Sequence, residues 1–166
     1  GLFANFWSPD ISRHAYPTLE GFLAHVAEIL RDEVAALARQ GARYIQIDAP
    51  HYPLLLDPST RSFYEARGWT MAQWLELGVE LDNRVMSGAP GVIFGFHLCR
   101  GNQGGRWLVA GGYEAIAAPI FRRTSARRLL LEYDDPRSGS FEPLGTVPDD
   151  KIVVLGLVST KRALLE

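Results

Sequence analysis

His97-Leu98-Cys99 is the sharpest chemical feature of the sequence. In an extended segment, residues two apart point to the same side. One imidazole and one thiol would therefore converge just beyond the apolar run Val92-Ile93-Phe94-Gly95-Phe96. Nitrogen and sulfur donors suit zinc, which favours four ligands in a tetrahedron. The competing reading is a strand-end histidine beside an inert, apolar cysteine, and a bare H-x-C pattern taken alone favours it. Glu132 shifts the balance. It ends the run Leu129-Leu130-Leu131, where a carboxylate must be exposed, paired or metal-bound. His97, Cys99 and Glu132 make three ligands, leaving a fourth place for another protein donor or an incoming thiol. A zinc-bound thiol ionises near neutral pH and becomes a usable nucleophile. A loop-capping role for Glu132 stays equally open. Asp48 ends a further run, Tyr44-Ile45-Gln46-Ile47. It either caps the turn at Ala49-Pro50 or holds a substrate ammonium by a charge-assisted hydrogen bond.

These residues need elements to carry them. Apolar residues from Leu19 to Arg39 recur at helical spacing, with Thr18 as N-cap and Gly41 as stop. The short strand 44–48 follows, then a proline-rich loop over 51–58 and a second helix from Thr70 to Met86. The strand 92–96 ends at His97 and leads into a glycine-rich loop, 101–105, and a helix over 111–123. The strand 129–131 ends at Glu132. A polar loop, 133–150, precedes the last strand, 152–157, and the polar stretch Ser159-Thr160-Lys161. Within that loop, Tyr133, Asp134, Asp135 and Arg137 form a polar turn whose ion pairing would order it. Buried parallel strands appear as continuous apolar runs, and alternating strands and helices imply a parallel α/β sheet, open or closed into a barrel. The polar residues gather at the C-terminal strand ends, the active side of both architectures. Trp7, Trp69, Trp74 and Trp107 fit packing anchors, and His25 fits a structural or exposed place within a helix.

The bulk numbers narrow the classes. A chain of 166 residues, 47% of them apolar, can bury a real core. The net charge of -2 gives no electrostatic footprint for nucleic acid. The basic cluster Arg122, Arg123, Arg127 and Arg128 fits a solvated helix face. A lone cysteine excludes an internal disulfide and suits a reducing, cytoplasmic setting. No apolar run approaches the ~20 residues that span a bilayer. The sequence opens on Gly1 and closes on Glu166, inside what looks like the start of a helix, so a fragment of a longer protein is expected.

Four segments resemble one family in its own order: Tyr44-Ile45-Gln46-Ile47-Asp48-Ala49-Pro50, Gly95-Phe96-His97-Leu98-Cys99-Arg100-Gly101-Asn102, Leu130-Leu131-Glu132-Tyr133-Asp134-Asp135 and Val153-Val154-Leu155-Gly156-Leu157-Val158. They are similar to the zinc-site strands of the cobalamin-independent methionine synthases, above all the shorter single-barrel members. A related branch is the epoxyalkane–coenzyme M transferases. The resemblance implies part of a (β/α)8 TIM-type barrel, with about four of the eight strands present. It implies zinc held by His97, Cys99 and Glu132, with Asp48 on the homocysteine amino group. It implies methyl transfer from a methylated folate to homocysteine. The family's last ligand, a second cysteine, would lie beyond Glu166. The family's long members have Asp-Glu-Pro where Asp48-Ala49-Pro50 stands, and a histidine where Ser159-Thr160-Lys161 stands. Those departures keep a second reading open, alkyl transfer between another thiol and an epoxide. A third is a non-catalytic half-barrel that self-associates through its open sheet edges.

Overall fold

The computed structural model describes residues 2–159; the expected helix opening at Glu166, and Thr160 and Lys161, lie outside them. The chain enters through a 3-10 turn (Leu2–Phe6) and a single helical turn, α1 (Pro9–Ser12). The long helix α2 (Leu19–Arg39) starts where Thr18 accepts a hydrogen bond from the Gly21 N–H at 3.1 Å. It ends at Gly41, whose φ of 98° a side chain would resist. Strand β1 (Tyr44–Asp48) follows.

The segment after β1 departs from the expected loop. It holds α3 (His51–Leu54) and α4 (Pro58–Glu65). Asp57 caps α4 by accepting from Thr60 N–H at 2.8 Å, with Pro58 in the first turn. Asp-Pro is itself a helix-start signal; prolines read only as breakers hide it. The second expected helix starts at a capping box between Thr70 and Gln73. It runs as α5 (Met71–Gln73), a π-helical segment (Trp74–Gly78) and α6 (Val79–Met86). Gly78 lets Tyr52 lie close, since a Cβ there would sit 3.0 Å from the Tyr52 hydroxyl.

Strands β2 (Ile93–Leu98), β3 (Arg128–Glu132) and β4 (Ile152–Gly156) join β1 in one parallel sheet ordered β1-β2-β3-β4. Helix α7 (Glu114–Arg123) links β2 to β3, while two 3-10 turns (Pro136–Ser138, Glu142–Thr146) occupy the path to β4. Helix α7 thus begins three residues later than expected. Arg128 lies in β3 beneath the Tyr44 ring rather than on a helix face, and Arg123 pairs with Glu80 at 2.9 Å.

The two faces of the sheet differ. Phe94, Phe96, Leu98, Leu129 and Leu131 pack with apolar residues of α2, α6 and α7 in the main core. A second cluster gathers Trp7, Trp69 and Trp74 with Leu19, Leu23 and Leu55, as packing anchors should. Trp107 is the exception, 42% exposed. The opposite sheet face carries Tyr44, Ile93, Ile152 and Val154, each 40–45% exposed. Gly95 lets the Tyr44 ring cross this face, because a Cβ there would strike the Tyr44 hydroxyl and Leu130. Consecutive parallel strands with helices over one face match the expected part of a β/α barrel, whose interior would be the uncovered face. No helix of the described residues is long and apolar enough to cross a membrane.

Candidate metal centre

The register places the chemistry. Asp48 pairs with His97 across β1 and β2, and Leu131 with Leu98 across β2 and β3. Alternation then puts Asp48, His97 and Glu132 on the uncovered face at the C-terminal strand ends, with Cys99 just beyond β2. All four line one cavity of about 630 Å³, together with Leu130, Val154 and Gly156.

Asp48, His97 and Cys99 form a cluster in which one possible ligand atom from each lies within 4.8 Å of the others. Tetrahedral donors bound to one zinc sit roughly 3.3–3.8 Å apart, so small side-chain shifts would close the cluster on an ion. The imidazole, thiol and carboxylate donor set also fits zinc. His97 Nδ1 lies 2.8 Å from Asp48 Oδ1. A carboxylate only accepts, so the Nδ1–H donates and Nε2 keeps its lone pair for a metal. Burial pushes the Cys99 thiol above its ordinary range, with Asp48 and Glu132 adding to the rise against a hydrogen bond from Gly101. A metal binding there must displace a proton.

Glu132 is on the cavity wall but not in the cluster. Its Oε2 accepts from the Arg100 backbone N–H at 2.8 Å, and its Oε1 from Arg137 Nη2 at 2.7 Å. Arg137 also holds Asp134 at 2.9 Å, the ion pairing expected of that turn, and its guanidinium lies 5.1 Å from the Trp107 ring centre. The structure thus brings together Asp48, His97 and Cys99, and sets Glu132 apart on two donors.

Arg100 and Tyr113 are neighbours of the site that sequence reasoning missed. Both are fully buried. The Arg100 guanidinium donates to the carbonyls of Gly111 (2.8 Å), Ser138 (3.1 Å) and Glu132 (2.7 Å), and to the Tyr113 hydroxyl at 3.0 Å. Burial pushes the Tyr113 hydroxyl up to about 12, so it stays a donor at neutral pH. Arginine in a glycine-rich loop looks like a solvent residue, and nothing in its spacing reports this socket.

Comparison with known proteins finds relatives along most of the chain. The chain is 30% identical to the uncharacterized protein YxjH of Bacillus subtilis over 163 residues, covering 97% of this chain and 43% of that protein. It is 35% identical to YxjG of the same organism over 147 residues, 87% of this chain and 39% of that one. It is 28% identical to the methionine synthase of Pyrococcus furiosus over 130 residues, 78% of this chain and 32% of the synthase. The chain therefore spans about two fifths of the length of the Bacillus proteins. No protein-family model matches it, and no solved structure matches it.

Proposed function

We propose that this chain carries part of a zinc site for transfer of a methyl group to a thiol, with homocysteine as acceptor and a methylated folate as donor. The observation that carries the reading is the Asp48–His97–Cys99 cluster at the mouth of a parallel sheet, and the likeness to archaeal methionine synthases supports it. In this reading the 166 residues are one part of a larger catalytic barrel, and a further thiolate from outside this stretch completes the ligand set.

Zinc, when bound, would supply a thiolate nucleophile at neutral pH. His97 offers Nε2, with its ring held by Asp48. Cys99 offers sulfur once its proton has gone. Glu132 stands ready on the same wall as a carboxylate donor. Asp48 is more than half exposed and can meet the ammonium of an amino-acid thiol while keeping its hydrogen bond to His97. Leu54, Leu108, Leu130 and Val158 give the cavity an apolar lining beside the place of the reacting sulfur.

The test is X-ray absorption at the zinc edge, on the full-length protein, with and without homocysteine. The reading expects an added zinc–sulfur scatterer with homocysteine, and loss of bound zinc in His97→Ala. Zinc binding unaffected by His97→Ala would sink it. Ala49, where the long synthases that the sequence resembles have glutamate, favours the second reading, alkylation of another thiol by an epoxide. Methionine formation with no epoxide turnover across a panel of thiols would reject that alternative.

A further inference from the structure

Where β2 and β3 deliver their site residues, a side-chain hydroxyl joins the ladder. On one side, the Ala49 N–H donates directly to the His97 carbonyl at 2.8 Å, closing β1 onto β2. On the other, the Tyr133 N–H donates directly to the Gly156 carbonyl at 2.9 Å, closing β3 onto β4. Carbonyls alternate in direction along a strand. With His97 C=O turned to β1, Leu98 C=O turns to β3. With Tyr133 N–H turned to β4, Glu132 N–H turns to β2. These two groups should be the next rung between β2 and β3.

The Tyr113 hydroxyl stands between them, donating to Leu98 C=O at 2.7 Å and accepting from Glu132 N–H at 2.9 Å. Arg100 closes the gap behind it, with Nη1 bonded to both the Tyr113 hydroxyl and the Glu132 carbonyl and the guanidinium 4.3 Å from the Tyr113 ring centre. One hydroxyl thus ties both strand ends where Cys99 and Glu132 leave the sheet.

We propose that Tyr113 and Arg100 are positioning residues that brace the β2 and β3 ends and so fix Glu132 relative to Cys99 for metal binding. This inference rests on the zinc reading above. Neither residue lines the cavity, so both act through the backbone they brace. Removing the hydroxyl strips the Leu98 carbonyl and the Glu132 N–H of a shared partner and loosens the two strand ends.

The test is zinc affinity by competition with a chromophoric chelator, on the full chain with zinc alone, together with the cobalt(II) spectrum, whose ligand-field bands report coordination. Tyr113→Phe is expected to weaken zinc by about 10–100-fold, as loss of a ligand's supporting partner does, and to shift the cobalt bands. Tyr133→Phe removes a buried hydroxyl that has no hydrogen-bond partner among the described residues, and should change neither. In a Glu132→Gln background, Tyr113→Phe should add little. Should Tyr113→Phe not fold, Arg100→Lys carries the same test, because lysine keeps the charge but cannot span the same acceptors. Unchanged affinity and spectrum, or an equal loss with Glu132→Gln already present, would overturn the inference while leaving the zinc reading intact. Equal zinc binding by the unaltered chain and His97→Ala would instead remove the zinc reading beneath it.

Discussion

At the scale of the residue, the site divides into groups legible from the chain and groups that only packing reveals. His97 and Cys99 are legible because spacing of two on a strand places both on one side. Asp48 is legible as a strand end, but its bond to His97 depends on the β1–β2 register across 49 positions. Arg100, Tyr113 and Arg137 are legible only as residue types, since a buried guanidinium has no periodic signature. The His97–Asp48 bond makes a direct prediction. Asp48→Ala frees the ring and should weaken zinc by about 10–100-fold in chelator competition, whereas Gln46→Ala, on the same strand, should leave it unchanged. Cys99→Ser should cost more than Asp48→Ala, because it removes a donor rather than its support.

At the scale of the element, strands and long helices follow from apolar runs and caps, while α4 shows how a proline can open a helix as well as break one. The turn after β1 carries a second consequence. His51 is buried, and burial holds its ring well below the ordinary histidine range. Its 3.9 Å approach to Asp82 is therefore the approach of a neutral ring, not an ion pair. Burial also raises Asp82, whose Oδ2 accepts from Tyr52 at 2.6 Å. A histidine with a depressed pKa contributes stability that is present above its unfolded pKa of about 6.5 and is lost as pH falls through that value toward the folded one. Denaturant melts at pH 7 and pH 5 should show this acid-side loss, and His51→Gln should flatten it; a slope unchanged by His51→Gln would contradict the assignment. Tyr52→Phe should cost about 1–3 kcal/mol at pH 7 by stripping the buried Asp82 carboxyl of its donor.

At the scale of the whole molecule, one sheet face is covered by helices and the other is open, with Tyr44, Ile93, Ile152 and Val154 partly exposed. The alternation of apolar runs with helical segments foretells the layers, but not which sheet face stays uncovered, because a run that is apolar throughout marks neither face. β4 is the outer strand on one side, and Leu155 remains 37% exposed on its helix-side face. An uncovered apolar edge strand invites pairing with another sheet. The 166-residue chain is expected to self-associate with rising concentration in sedimentation velocity. Ile152→Lys, which puts a charge on that strand outside the cavity, should shift it toward monomer. A wild-type chain that stays monomeric at high concentration would contradict this.

The central claim is that His97 and Cys99, with Asp48 steadying the imidazole, are gathered to hold a metal. Its most direct test is zinc stoichiometry by elemental analysis after dialysis against trace zinc, for the full-length protein and for its His97→Ala and Cys99→Ser variants. The account predicts about one zinc per protein, as a single site requires, and its loss in both variants. Absence of zinc from the unaltered full-length protein, or retention by both variants, would contradict it.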